Sequence, residues 1–203
     1  MKVPVPSRVA LLGLVVVALA APAALRAESH TEAMPAGVKG EMLTWIKDAE
    51  GKLVQLAEAM PEGKYSWRPG KDVRTVGEVY MHVATANYGL PQMMGVAAPE
   101  GFSFDTYEKS LTKKADIQKT LKESFAHMEK TLMGMTDADM EQPIDIFGMK
   151  TTRRGGFMLL LSHAHEHLGQ SIAYARSNNV TPPWTAKQQA AMKEQAEKNK
   201  TKK

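Results

Sequence analysis

Residues 162–170 read Ser162-His163-Ala164-His165-Glu166-His167-Leu168-Gly169-Gln170 and place three of the chain's six histidines inside an otherwise helical, apolar run. His163 and His167 are four residues apart, so on a helix they lie about 40° apart around the axis and about 6 Å along it. Two imidazoles in that arrangement can bind one metal ion. His165 lies about 200° round from His163 and points elsewhere. The alternative is that all three are polar residues on a helix surface.

A metal site needs more than two ligands, so at least one further ligand has to come from another helix. His82 is the best candidate, because it lies beside Val79 on the apolar face of a second helix. Taken alone, His82 would be interpreted as a hydrogen-bonded core histidine. Two further residues could contribute polar groups to the cavity: Gln170, three residues past His167, and Glu78, one turn before His82.

Four amphipathic stretches account for the fold. The helix that carries the three histidines is apolar all round at 157–161, which indicates a central, buried position. The pattern Thr75-Val76-Gly77-Glu78 is a capping box and begins the second helix. We predict the four helices at residues 38–60, 75–90, 112–135 and 154–177. The sequence therefore predicts an all-α, antiparallel four-helix bundle with long connections between helices 2 and 3 and between helices 3 and 4.

Several side chains can be assigned to faces of these helices by their spacing. Trp45 falls on the apolar stripe of the first helix. His127 falls on the polar side of the third helix and is interpreted as a surface histidine, together with Thr120, Ser124 and Thr131. In the last long connection, residues 144–147 are expected either to form a short hairpin or to pack on the bundle.

The two ends of the chain differ from its middle. Residues 1–27 resemble a secretory signal peptide, with Lys2 and Arg8 before a short apolar run and small residues after it. We therefore expect a periplasmic or secreted protein with no stable membrane anchor after cleavage, the alternative being a retained anchor. Residues 28–184 would form the bundle, and residues 185–203 a basic, mobile tail. The 203-residue chain contains no cysteine, which excludes disulfides and thiolate metal sites.

The formal net charge of +4 is misleading. Residues 1–27 carry three of the 26 basic residues and residues 184–203 carry six, together with two of the 22 acidic ones. The part between them therefore has 17 basic and 20 acidic residues, a net charge of −3. A nucleic-acid-binding domain usually has a basic surface, so we do not expect nucleic acid as a partner.

Three motifs in this order resemble the DinB-like family across residues 38–184, in what would be an exported branch. They are Trp67-Arg68-Pro69 with Thr75-Val76-Gly77-Glu78 and His82, the stretch from His163 to Gln170, and Pro182-Pro183-Trp184. The resemblance implies a four-helix bundle that holds a divalent metal through His82, His163 and His167. Leu168 departs from the arginine that the family has there. Some relatives are thiol-dependent transferases or isomerases, and dimers are common, so a homodimer is possible.

Three imidazoles with open coordination positions are typical of a catalytic metal site, which could lower the pKa of a bound water or thiol. Zn²⁺ fits three nitrogen ligands best, and Ni, Fe or Mn are alternatives. We expect an envelope enzyme, a hydrolase or transferase that acts on a small molecule. The alternative is a non-catalytic metal- or ligand-binding bundle, because no nucleophile or general base stands out. A zincin protease is not predicted, since that motif requires histidine at the position of Gly169.

Overall fold

The computed structural model of the chain describes residues 36–201, so the predicted signal segment at 1–27 lies outside the described residues. In chain order the elements are α1 (Gly37–Ala59), α2 (Val76–Met93), α3 (Lys114–Gly134), α4 (Asp137–Met140), β1 (Pro143–Ile146), β2 (Met149–Thr152), α5 (Arg153–Ser177) and α6 (Pro183–Lys200). Short 3₁₀ helices occupy Glu62–Lys64 and Tyr107–Lys109. The long helices α1, α2, α3 and α5 pack as a bundle, which confirms the predicted all-α four-helix fold.

Within the bundle, α1 and α2 each pack against both α3 and α5, so α1 and α2 lie on a diagonal. Lysines at two helix starts show that α1 and α3 are antiparallel. Lys39 Nζ donates to the Met135 carbonyl at the end of α3 (2.7 Å), and Lys114 Nζ donates to the Met60 carbonyl at the end of α1 (2.7 Å). Each ammonium thereby satisfies a carbonyl that the helix end leaves without a partner.

The second helix runs antiparallel to α5, as the sequence predicts, but parallel to α3, so one neighbouring pair departs from the antiparallel arrangement expected from the sequence. The Tyr174 hydroxyl near the end of α5 donates to the Arg74 carbonyl just before α2 (3.1 Å). Gly77 at the start of α2 lies against Ile117 near the start of α3, where a Cβ on the glycine would be 3.0 Å from Ile117 Cδ1. Because α2 and α3 are parallel, the connection at 94–113 has to return along the length of α2.

The predicted apolar stripes supply the core, but two assignments of faces are wrong. Trp45 is 57% exposed, because it lies at the outer edge of the α1 stripe. The hydroxyl residues assigned to the polar side of α3 are buried, because α3 packs against both α1 and α2 and so has a buried face wider than its apolar stripe. These are Thr120, Ser124 and Thr131. Backbone carbonyls accept hydrogen bonds from two of them, Ser124 and Thr131.

The connections after α3 are more regular than the sequence indicates. Residues 143–152 form the β1–β2 hairpin, whose turn residues Phe147 and Gly148 both have positive φ, as a tight two-residue hairpin turn requires. Ile146 is buried, so the hairpin also packs on the bundle. Most of the tail predicted to be mobile forms α6, which has no buried residue. None of the helices within residues 36–201 combines the length and apolar character that crossing a membrane requires.

Candidate metal centre

Three histidines from two antiparallel helices converge between α2 and α5. His82, His163 and His167 each present one ring nitrogen, and these three atoms all lie within 4.8 Å of one another. The Nε2 atoms of His82 and His163 are 3.1 Å apart. The ring centroids are separated by 4.9 Å for His82 and His163, 4.7 Å for His82 and His167, and 4.4 Å for His163 and His167. The structure thus brings together the three residues that the sequence selected.

Local structure determines where each of these histidines points. On α5 the four-residue spacing places His163 and His167 on one face. On α2 the start of the helix is fixed by its capping box, in which Glu78 N donates to Thr75 Oγ1 (3.1 Å) and Thr75 N donates to Glu78 Oε2 (2.7 Å). His82 follows one turn later and faces α5.

A carboxylate from the α2–α3 connection orients His82. His82 Nδ1 donates to Glu108 Oε2 (2.7 Å), which leaves the lone pair on Nε2 directed at the other two histidines. Arg74 in turn donates from Nε to Glu108 Oε1 (2.6 Å). Burial alone would raise the pKa of Glu108, but the hydrogen bonds from Arg74 and His82 outweigh it and lower that pKa. Glu108 is therefore an anion that holds one tautomer of His82.

A second chain of hydrogen bonds orients His167. His167 Nδ1 donates to Gln170 Oε1 (2.8 Å), Gln170 Nε2 donates to the Tyr174 hydroxyl (2.9 Å), and that hydroxyl donates to the Arg74 carbonyl. The Trp67 ring packs edge-on against the Tyr174 ring, with centroids 5.3 Å apart. The tryptophan of the Trp67-Arg68-Pro69 motif therefore supports the third histidine through two intermediate side chains.

His163 is the exception, because its Nδ1 is buried and has no hydrogen-bond partner among the described residues. Burial lowers the pKa of His163 to about 3, with a further contribution from the neighbouring His167 and His82. Burial also lowers the pKa of His82, although Glu108 opposes it. His82 and His163 are consequently neutral near pH 7, and neutral imidazoles are the form that binds metal ions.

Three other polar residues of α2 and α5 direct their side chains away from the point where the ring nitrogens converge or bond to other groups. Glu78 makes its hydrogen bonds elsewhere, since its carboxylate accepts from Thr75 N in the α2 cap and lies 3.4 Å from Arg68 Nη2. Glu166 is exposed, and His165 Nδ1 lies 3.0 Å from the Leu161 carbonyl. Sequence reasoning missed Glu108, which lies in a connection without periodicity. The signal available was an acidic residue directly after Tyr107, in a connection that also contains two phenylalanines.

A cavity of about 570 Å³ lies next to the hydrogen-bond partners of His82 and His167, and none of the three histidines forms part of its wall. Its wall includes Glu108 and Gln170, the residues that hold His82 and His167, and it also includes Glu78. This volume is within the range of small-molecule sites. Gln170 and Glu78, both predicted to contribute to ligand binding, thus line one cavity.

The donor set suits a divalent metal of borderline softness. Three nitrogen ligands are provided, two of the imidazoles have an acceptor on Nδ1, and the Nε2 atoms of His82 and His163 face each other at 3.1 Å. Such a donor set suits zinc and also nickel, iron or copper, so it indicates a divalent metal without selecting one.

Comparisons with known proteins agree with the fold. Residues 46–171 match the family described as the DinB superfamily. A DinB-like protein from Bacillus cereus is 21% identical with a TM-score of 0.63, and the match covers 72% of this chain and 95% of that one. Bacillus subtilis YfiT is described as a probable metal-dependent hydrolase with an unusual four-helix bundle topology. It is 15% identical with a TM-score of 0.57, over 74% of this chain and 93% of that one. No curated protein matches the sequence significantly.

Proposed function

This chain belongs to the DinB superfamily, and from that premise we propose that it is a divalent-metal-dependent enzyme of the cell envelope that acts on a small molecule. The observation that carries the proposal is the convergence of His82, His163 and His167, two of which are held by residues that line a cavity. Hydrolysis is the reaction we favour, because the similar YfiT is described as a probable metal-dependent hydrolase. A transferase would use the same site.

The residues of the site divide into three roles in this proposal. The three histidines are the ligands, and zinc is the metal we propose first. A divalent ion held there would supply Lewis acidity, which polarises a substrate oxygen and lowers the pKa of a water molecule. Glu108 and Gln170 keep the Nε2 lone pairs of His82 and His167 directed at the ion. In this proposal the substrate enters through the cavity that Glu108 and Gln170 line.

The location in the envelope is supported by the N-terminal sequence, where a basic start, a short apolar run and small residues follow in the order of a secretory signal. Expression of the full chain in a bacterial host, followed by fractionation and N-terminal sequencing, would test it. A periplasmic product that begins near residue 28 is expected. A product that retains residues 1–27 in the cytoplasm would contradict this part of the proposal.

Elemental analysis of the purified protein tests the metal site. We expect about one divalent ion per chain in the wild type and almost none in His163→Ala. The matched control is His165→Ala, which removes the neighbouring imidazole whose Nδ1 lies near the Leu161 carbonyl outside the cluster. Equal metal content in the wild type and His163→Ala would contradict the proposal that these histidines bind a metal ion.

Catalysis requires a separate measurement, because a binding bundle would pass the metal test as well. Ester, amide and phosphoester substrates should be screened with the metal-loaded protein, its chelated form and His163→Ala. Turnover that disappears in the last two supports the enzyme. Full metal occupancy without turnover on any class would favour the alternative of a non-catalytic metal-binding bundle.

A further inference from the structure

A second cavity, of about 540 Å³, lies at the other end of the bundle, where α2 and α3 end and α5 begins. Its wall is formed by residues 94–97 directly after α2, the last two turns of α3 with Met135, Asp139 on α4 and Arg153 at the start of α5. None of these residues belongs to the histidine site or lines the first cavity. The volume is again that of a small-molecule site. Neither the metal chemistry nor the family resemblance assigns anything to it.

Two nitrogen atoms that belong to residues lining this cavity are buried and lack hydrogen-bond partners within residues 36–201. They are Nε of Arg153, the first residue of α5, and Nε2 of His127 on α3. Leaving a buried donor without an acceptor is costly, and native proteins rarely do so without a ligand or water at the site. The sequence had assigned His127 to the surface, but its ring is half-buried against Tyr88, with centroids 5.3 Å apart.

The charges around the cavity favour an anion. Arg153 and Lys130 both contribute to its wall, whereas Asp139 is its only acidic residue, 3.6 Å from Arg153 Nη1. Burial, together with the charge of Lys130, lowers the pKa of His127, so its imidazole is neutral near pH 7 and can donate from Nε2. A carboxylate in the cavity could accept a charge-assisted hydrogen bond from the Arg153 guanidinium or a hydrogen bond from the His127 ring, since both residues line it.

The opposite side of the cavity is apolar. Met94 and Met135 are buried and Val96 is partly buried, and all three contribute to the wall. Methionine side chains adapt to ligands of different shape. We propose that this cavity binds a small organic anion, a carboxylate on an apolar body, whose charged end contacts Arg153 and whose body packs on the methionines.

Binding of octanoate, measured by isothermal titration calorimetry on the purified protein, tests this proposal. Octanol has the same chain without the charge, and inorganic phosphate has charge without an apolar body. Octanoate is expected to bind at least about tenfold more tightly than octanol, since a charge-assisted hydrogen bond contributes at least that factor. It is also expected to bind more tightly than phosphate, because only octanoate buries an apolar chain against the methionines. Octanoate affinity no greater than that of octanol would overturn the proposal.

Two adjacent arginines provide a matched pair of variants. Arg153→Gln should weaken octanoate binding about tenfold or more, whereas Arg154→Gln should leave it unchanged, because Arg154 pairs with Glu141 and lies outside the cavity. Equal weakening in both would contradict the assignment. His127→Phe keeps a ring against Tyr88 and should also weaken binding, which preserves the test if Arg153→Gln fails to fold.

A carboxylate could also bind to a metal, so the two sites have to be separated. Octanoate should bind equally to wild-type protein with metal, to chelated protein and to His163→Ala. Binding that is lost on chelation or in His163→Ala would assign the anion to the histidine site and overturn the proposal. Failure of the metal test with retained octanoate binding would instead leave this cavity intact as a separate site.

Discussion

The α2/α5 interface and the α1/α3 interface both contain partly buried ionisable side chains between antiparallel helices. The first holds His82, His163 and His167, and the second holds Glu50 on α1 beside Glu129 on α3. Burial, a hydrogen bond with Glu129 and the negative charge of Glu129 raise the pKa of Glu50 to about 7. Lys47 Nζ lies 3.7 Å from Glu129 Oε2.

The two interfaces differ in the chemistry of their ionisable groups, imidazoles in α2/α5 and carboxylates in α1/α3, rather than in how deeply these groups are buried. An imidazole can lose its charge near neutral pH and still has a lone pair. A buried cluster of imidazoles can therefore bind a metal cation. Two adjacent carboxylates repel each other, and one of them takes up a proton instead. In addition, Lys47 and Lys122 lie close enough to influence Glu50, which disfavours a metal cation there.

The largest effect is expected from zinc. At a free concentration of 100 times the dissociation constant, Zn²⁺ should stabilise the wild type by about 2.7 kcal/mol. That corresponds to an increase in melting temperature of about 5–10 °C for a domain of this size. His163→Leu should lose this increase, whereas Glu129→Leu should retain it, and calorimetry with and without Zn²⁺ measures both. Loss of the increase in Glu129→Leu alone would reverse the assignment of the metal to α2/α5.

A smaller effect on zinc affinity is expected from one of the two acidic residues near His82, Glu108, and none from the other, Glu78. Glu108→Ala should weaken zinc binding about 10- to 100-fold, because it removes the acceptor that holds the His82 tautomer. Glu78→Ala should leave zinc affinity unchanged and lower the free energy of unfolding by about 1 kcal/mol, since it breaks a capping box. Zinc affinities can be measured by competition with a chelator. If Glu78→Ala has the larger effect on zinc affinity, the roles inferred from the hydrogen bonds are wrong.

The contrast between Glu78 and Glu108 illustrates what the sequence could predict. Helix periodicity identified the four long helices to within a few residues, and the four-residue spacing of His163 and His167 identified two of the three histidines that converge. These are short-range regularities that a helix repeats along its length. Glu108 comes from a connection of about 20 residues, and its position depends on α2 and α3 being parallel, which no local pattern encodes.

The sequence predicted burial correctly for residues at the centre of each apolar helix face, but not for residues at the edges of these faces. Trp45 fits the α1 stripe by spacing, yet it is exposed and its ring lies near His165, with centroids 6.5 Å apart. Ser124 and Thr131 are polar, yet α3 buries them between α1 and α2, and their hydroxyls satisfy their hydrogen bonds on carbonyls of α3 itself. The width of a buried face depends on how many neighbours a helix has, and a single sequence does not contain that information.

The smallest effect concerns the carboxyl pair. Because folding raises the pKa of Glu50 from 4.5 to about 7, the native state binds more protons than the unfolded chain between these values, and stability falls as pH rises through this range. Glu50→Gln should remove this loss and be more stable than the wild type at pH 8 by about 1 kcal/mol, a figure reduced for solvent screening. The control is Glu41→Gln, an exposed residue of the same helix, which should keep the wild-type slope. Urea unfolding at several pH values from 4 to 8 measures the free energy of unfolding of all three proteins. If its dependence on pH is the same in Glu50→Gln as in the wild type, the pKa of Glu50 is not raised by folding and the prediction is wrong.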